Sequence, residues 1–204
     1  VLRLLIEGEL DLDLQTLLER AATHFEPAIC AESVVETVFE FTMDRLRGYY
    51  PDQGVRPDAL EAVLDCRPTR PLDFDRRVRA VSAFLEQTEA FSLAATNKRI
   101  RNLLKKVETV LPLEVCSELL IEEAEQALAR RLVELSSEAI QLMENGLYGE
   151  ALNQLMHLRE PVDAFFDQVL VMANDPVLRD NRIALLNELS SLFLRVADFS
   201  RLRD

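Results

Sequence analysis

Five of the nine residues from Lys98 to Lys106 are basic: Lys98, Arg99, Arg101, Lys105 and Lys106. They lie in the segment LAATNKRIRNLLKKV, residues 93–107, which contains no acid. Its three lysines are the only lysines of a chain whose formal net charge is −13. Ammonium and guanidinium groups near neutral pH are fixed positive charges that donate hydrogen bonds, so the chemistry on offer is anion binding. On a helical wheel Leu93, Ile100, Leu103, Leu104 and Val107 fall on one side, and Lys98, Arg101, Asn102 and Lys105 on the other. Arg99 and Lys106 take the flank, which makes an amphipathic helix with a cationic solvent face. At 1.5 Å per residue the run from Lys98 to Lys106 covers about 12 Å, the reach of two or so backbone phosphates. A face meant only for solubility mixes its signs, whereas local concentration of cations is what a polyanion-binding surface requires when the net charge is unfavourable. A face that is merely solvated, or that pairs with acids elsewhere in the chain, stays open as the alternative.

Other chemistry-bearing residues are less organised. Arg67, Arg70, Arg76, Arg77 and Arg79 are interleaved with Asp65, Asp73 and Asp75, which reads as a salt-bridged loop and helix start rather than a binding patch. Cys30, Cys66 and Cys116, like His24 and His157, are far apart and fit neither a disulfide framework nor a zinc spacing. No nucleophile–base constellation, Gly-rich phosphate loop or metal set is present, so an enzyme in its own right is disfavoured. Near the C-terminus Arg182 aligns with Leu178, Leu186 and Leu189 inside an apolar stripe. A cation there must be paired, with Asp163 the candidate partner, or must contact a ligand. Arg179 lies nearer the edge of the stripe and is freer to reach out. Phe165 and Phe166 at helical spacing read as core rather than as stacking platforms.

The elements that position these residues follow from periodicity of three and four. Helices are expected over 10–22, 32–47 (ending at Gly48), about Pro57 to Leu64, and from a cap at Asp73 or Asp75 through Leu85. The basic segment follows, then a break at Pro112 and a long helix from Glu114 to Glu144 that Asn145-Gly146 ends. A short helix from Tyr148 to Leu158, one opened by Pro161, and a last one started by Asp175-Pro176 complete the chain.

Hydrophobic residues make up 49% of the 204, glycine numbers 5 and tryptophan is absent, while Leu, Ala, Glu and Arg dominate. The expected fold class is all-α, with helical bundles. The expected division is 1–112, a helical region ending in the basic helix, and 113–204, an antiparallel bundle with short loops. No apolar run approaches the ~20 residues of a membrane span and no secretory leader pattern opens the chain. Unpaired cysteines fit a reducing cytoplasm. The start on Val1, already helix-like, suggests a piece of a longer polypeptide.

The stretch VDAFFDQVLVMANDPVLRDNRIALL (162–186) closely resembles the C-terminal anticodon-binding domain of bacterial glycyl-tRNA synthetase beta subunits. It is more distantly similar to the DALR anticodon-binding domain of arginyl-tRNA synthetases. DRLRGYY (44–50), DALEAVL (58–64), RPLDFDRRVRAVSAF (70–84) and ATNKRIRNLLKK (95–106) resemble segments of the same family in the same order. A departure is Gly149, where the family more often has a helix-favouring residue, which puts the start of that short helix in question.

The resemblance implies a noncatalytic, tRNA-binding part of a class II glycine–tRNA ligase. ATP, Mg²⁺ and glycine would be handled by a partner alpha subunit, with no cofactor in this chain. The implied partners are glycine tRNA, the alpha subunit and the N-terminal part of beta, with no membrane. Lys98, Arg99, Arg101, Asn102, Lys105 and Lys106 would hold the RNA backbone, and Arg179, Asn181 and Arg182 would be contacts within the C-terminal motif. The alternative is a helical scaffold that docks another subunit or domain through its basic face.

Overall fold

The computed structural model describes residues 1–26, 33–107 and 114–202. Among them are eleven α-helices and no strand, as the composition requires. The first seven are α1 (Leu2–Glu7), α2 (Leu14–Ala22), α3 (Val34–Asp44), α4 (Leu46–Tyr49), α5 (Pro57–Leu64), α6 (Pro71–Phe84) and α7 (Thr88–Leu104). The rest are α8 (Glu123–Glu144), α9 (Tyr148–Met156), α10 (Arg159–Gln168) and α11 (Pro176–Leu194), followed by a 3-10 turn at Phe199–Arg201.

Helix α9 packs against both α6 and α8, α10 against both α7 and α8, and α7 lies on α11 and on the C-terminal 3-10 turn. One cluster of buried apolar side chains therefore runs from Ile6 to Leu202. Residue 112, where a domain boundary is expected, lies outside the described residues. Leu128, Leu152 and Phe165 are each sealed from water, a burial worth about 1.5–3 kcal/mol per side chain. Helix α11 buries Ile183, Ala184, Leu185, Leu186, Leu189, Leu192 and Phe193, which covers most of its circumference. A helix apolar nearly all round belongs in the interior, so the polar residues of α11 are drawn inside with it.

Local chemistry sets most boundaries. Asp175 caps α11 by accepting from Val177 N at 2.8 Å and Leu178 N at 3.5 Å, with Pro176 in the first position. Asn145 and Gly146 end α8, and Gly146 has φ 73. The left-handed φ demands glycine there, while a Cβ would meet only the movable Arg76 side chain, its guanidinium nitrogen at 2.9 Å.

Several expected boundaries shift. Helix α8 starts at Glu123 rather than Glu114, because Glu122 and Glu125 form a reciprocal capping box. Residues 114–122 carry only a 3-10 turn at Ser117–Leu119. Gly48 does not stop a helix but lies within the short α4; the left-handed turn residue is Gly54, φ 77. Neither Asp73 nor Asp75 caps α6, which begins on Pro71 after Arg70. Both serve tertiary contacts instead. Asp73 pairs with Arg77 at 2.7 Å and accepts from the Tyr148 hydroxyl. Asp75 pairs with Arg79 at 2.8 Å and accepts from Tyr50 Oη at 3.0 Å. Pro161 is the third residue of α10 rather than its opening. Gly149, despite its low propensity, sits in the second position of a helix that forms from Tyr148.

Replacing the α11 cap tests how far local chemistry fixes this helix. Asp175→Ala should cost about 1 kcal/mol, a fall in Tm of roughly 2–4 °C, while Asp175→Asn stays near the parent. Thermal unfolding followed by circular dichroism reads both.

Candidate nucleic-acid interface

Helix α7 presents its cations in three different ways. Lys98, Lys105 and Lys106 make no ion pair among the described residues, and Lys105 and Lys106 are exposed in the turn that follows the helix. Arg99 is exposed, with its guanidinium carbon 4.1 Å from the centroid of the Phe166 ring. That cation–π contact fixes the side chain while leaving its edge available. Arg101 is turned inward: its Nη2 donates to Asp198 Oδ2 at 3.2 Å.

The inward placement of Arg101 corrects the expected cationic face. The wheel puts Arg101 opposite the apolar side, but the 3-10 turn at Phe199–Arg201 packs on α7 there and supplies the carboxylate. Burial pushes the Asp198 carboxyl up. The Ser200 hydroxyl and amide and the Arg101 guanidinium outweigh that effect and hold it below its ordinary value.

Lys98, Arg99, Asn102 and Lys106 line a groove of about 530 Å³, with half-buried Leu103 and Val107 between them. Met172, from the loop that joins α10 to α11, closes it. Among the described residues no carboxylate lines this groove. Each of four other surface clefts is lined by three carboxylates, one example being Asp58, Glu61 and Asp65 beside Lys98. Lys98 thus stands on the ridge between a mixed-charge cleft, which also holds Arg56 and Arg201, and the cationic groove.

The C-terminal candidates separate in the same manner. Asn181 is buried and grips the backbone of Cys116, accepting from its N–H at 2.7 Å and donating to its carbonyl at 3.1 Å. Arg182 is 5% exposed, and its partner is Glu125, not Asp163. Glu125 is fully buried, and its second oxygen accepts from the backbone N–H groups of Ile121 and Glu122 at 2.9 and 3.0 Å. Arg182 Nη1 also donates to the carbonyl of Leu170 at 2.9 Å. Asp163 instead faces Arg159 at 3.8 Å and Thr96 at 3.4 Å. Asn181 and Arg182 therefore leave the set of direct RNA contacts, because their polar atoms are spent inside the protein. Arg179 is half-exposed, engages Asp180 at 3.1 Å and does not line the cationic groove.

Four of the five arginines of the second cluster, all but Arg76, are ion-paired among the described residues, partly with acids far away in sequence. Arg67 meets Glu36, and Arg70 meets Asp11 at 3.0 Å, beside the local Arg77–Asp73 and Arg79–Asp75 pairs. Phe165 is core and Phe166 is the half-buried ring beneath Arg99. Cys66 is half-buried, and burial lifts its thiol to about 11, a value that leaves it unreactive near neutrality. Among the described residues no group of His, Cys, Asp and Glu is placed to hold a metal, and no helix is long and apolar enough to cross a membrane. Met172 is the residue that the sequence reading misses. The available signal was two large apolar residues, Leu170 and Met172, alternating with valines just before a helix cap.

A helical fold whose groove, without a carboxylate among the described residues, sits on a lysine-bearing helix has the makings of a polyanion-binding module. The description "DALR anticodon binding domain" matches residues 93–195, a span that runs from the basic helix through α11, and the chain belongs to that family. A second family, "Glycyl-tRNA synthetase beta subunit", matches residues 1–65. The chain is 50% identical over 202 residues to the glycine–tRNA ligase beta subunit of Aeromonas hydrophila, covering 99% of itself and 29% of that protein. It is 46% identical over 202 residues to that of Pasteurella multocida, and 48% identical over 203 to that of Sodalis glossinidius. The chain therefore spans under a third of the length of the relatives it matches.

Two expectations follow from the ion pairs. Truncating either Glu125 or Arg182 to Ala should cost about 3–5 kcal/mol, since the other charge is left buried alone. The double variant should cost much less than the sum, as urea titrations of the four proteins would reveal. For Asp198, a lowered folded pKa means that its contribution is present above the unfolded carboxylate value near 3.9 and is lost as pH falls through the lower folded one. Asp198→Asn should thus remove a loss of stability seen below about pH 4 and lower stability at pH 7. Denaturant midpoints at the two pH values provide the check.

Proposed function

We propose that this chain binds the anticodon region of glycine tRNA as a noncatalytic part of a glycine–tRNA ligase. The observation that carries the reading is the groove on α7, where among the described residues no carboxylate intrudes and Lys98, Arg99 and Lys106 make no ion pair, in a chain of net charge −13. Such cations attract and position a ribose-phosphate strand without reading its sequence. Lys105, exposed beside the groove, extends the same field. The match of residues 93–195 to an anticodon-binding family supports RNA as the polyanion, and the named relatives support glycine tRNA. On this reading ATP, Mg²⁺ and glycine belong to a partner alpha subunit, with which this chain and the remainder of beta assemble.

Binding of this chain to a glycine tRNA transcript tests the proposal. If Lys98, Arg99, Lys105 and Lys106 each neutralise one phosphate of a single-stranded loop, affinity should fall roughly fiftyfold between 50 and 200 mM salt. Lys98→Glu, Lys105→Glu and Lys106→Glu combined should flatten most of that slope with helix content unchanged. A transcript with an altered anticodon should bind more weakly. Equal binding of the two transcripts, together with an unaltered slope in the triple variant, would refute the assignment.

A further inference from the structure

The cationic groove has an apolar wall that phosphate binding does not explain. Residues 169–172 alternate strictly: Val169 and Val171 are buried, while Leu170 is 70% and Met172 55% exposed. Met172 is thus held outward in the groove that Arg99 and Lys106 line, and Leu170 is exposed two residues before it. The wall is anchored from within, because Arg182 Nη1 donates to the Leu170 carbonyl at 2.9 Å while its Nε engages buried Glu125. The opposite wall is anchored too, by Arg99 on Phe166 and by Phe166 edge-on to Phe165 at 5.6 Å between centroids.

Between the walls lie four distinct capacities. Lys98 and Lys106 supply charge for a phosphate. Asn102, exposed on the outward face of α7, carries both a donor and an acceptor for a heterocycle edge. The Arg99 guanidinium, stacked on Phe166, offers the N–H groups of its edge. Met172 offers a polarizable apolar contact that adapts to a flat ring. The groove's 530 Å³ falls within the roughly 300–1,000 Å³ of small-ligand sites. A ligand that is anionic at one end, flat and apolar in its body and polar at its edge satisfies all four.

We infer that the groove between α7 and residues 169–172 receives one unstacked nucleotide of the bound RNA, with its base against Met172. Arg182 is the positioning residue that sets this wall through the Leu170 carbonyl. The inference rests on the RNA-binding reading above and adds to it a base-reading subsite on a loop, governed by a buried side chain that never touches RNA. Single-stranded RNA is read in this manner, by unstacked bases laid on side-chain platforms.

The experiment compares a glycine tRNA transcript with a series carrying one abasic ribose at each anticodon-loop position in turn, against the parent chain, Met172→Ser and Arg182→Lys. In the parent, one abasic position should weaken binding roughly tenfold, the scale of one base–side-chain stack. Met172→Ser, at an exposed position, should abolish that penalty while the salt slope stays at the parental value. Arg182→Lys keeps a charge for Glu125 but lacks the fork that also reaches Leu170, so it should reduce the penalty and again spare the slope. Absence of any binding by the parent chain would defeat the RNA reading itself. Salt-dependent binding by the parent with no abasic penalty, or with a penalty that Met172→Ser leaves intact, would defeat the subsite and spare that reading. A folded Arg182→Lys that retains the full penalty would remove the positioning role. Should Arg182→Lys prove unfolded, Glu125→Gln combined with Arg182→Met, which removes the donor to the Leu170 carbonyl without leaving a buried charge, must reduce the penalty, or the positioning role is likewise removed.

Discussion

A carboxylate sealed from water needs donors for its oxygens, and a guanidinium sealed beside it needs acceptors for its remaining N–H groups. Glu125 and Arg182 meet these demands by drawing on three separate elements. Glu125 takes the backbone N–H groups that open α8, Arg182 rises from the central helix α11, and its spare N–H reaches the loop after α10. One buried pair thereby fixes where α8 starts, how α11 sits against it and which way the 169–172 loop faces. The outward pose of Leu170 and Met172 depends on the same atoms. Replacing the pair by apolar residues of similar volume would preserve packing, but it would leave the loop carbonyl without its donor.

The molecule divides its cations by chemistry. Every ion pair found among the described residues uses arginine, and none uses lysine. A planar guanidinium can grip a carboxylate and a second acceptor together, so arginines tie helices together in a strongly acidic chain. Lysine, a compact and strongly hydrated charge, gains less from such pairs. The three lysines remain available in one segment and give that segment a field opposite to the rest of the surface. Arg99, like Arg45 on Phe41, lays its plate on an aromatic ring instead of a carboxylate. Long-range attraction of a polyanion to an acidic protein is weak unless the cations are gathered like this, because screening confines each charge to about 8–10 Å.

The family match and the packing bear on each other. The matched span of 93–195 includes α7 together with α8 to α11, and α7 is packed on α10, α11 and the C-terminal turn. The cationic helix is therefore built into the anticodon-binding module and shares its core. Its apolar side, with Leu93, Ile100 and Leu104 buried, anchors it; its outward side carries the groove. A rigid helix with both ends of its apolar stripe buried can hold charges at a fixed spacing, which a flexible loop cannot.

What the sequence by itself determined were features decided within a few residues. The all-helical class, the cap at Asp175, the left-handed stop at Gly146, and the amphipathic course of α7 each depend on neighbours one turn away. What only the tertiary structure decided were contacts made across long stretches of chain. Arg101 turns inward because Asp198 arrives from 97 positions further on. Asn181 is spent on Cys116 from 65 positions away, and Arg182 on Glu125 from 57. Periodicity showed that Arg182 must be paired, but an apolar stripe carries no address for its partner. The groove wall at Met172 was illegible for the same reason: side-chain spacing along one element fixes which face is outward, and only packing between elements fixes what that face meets.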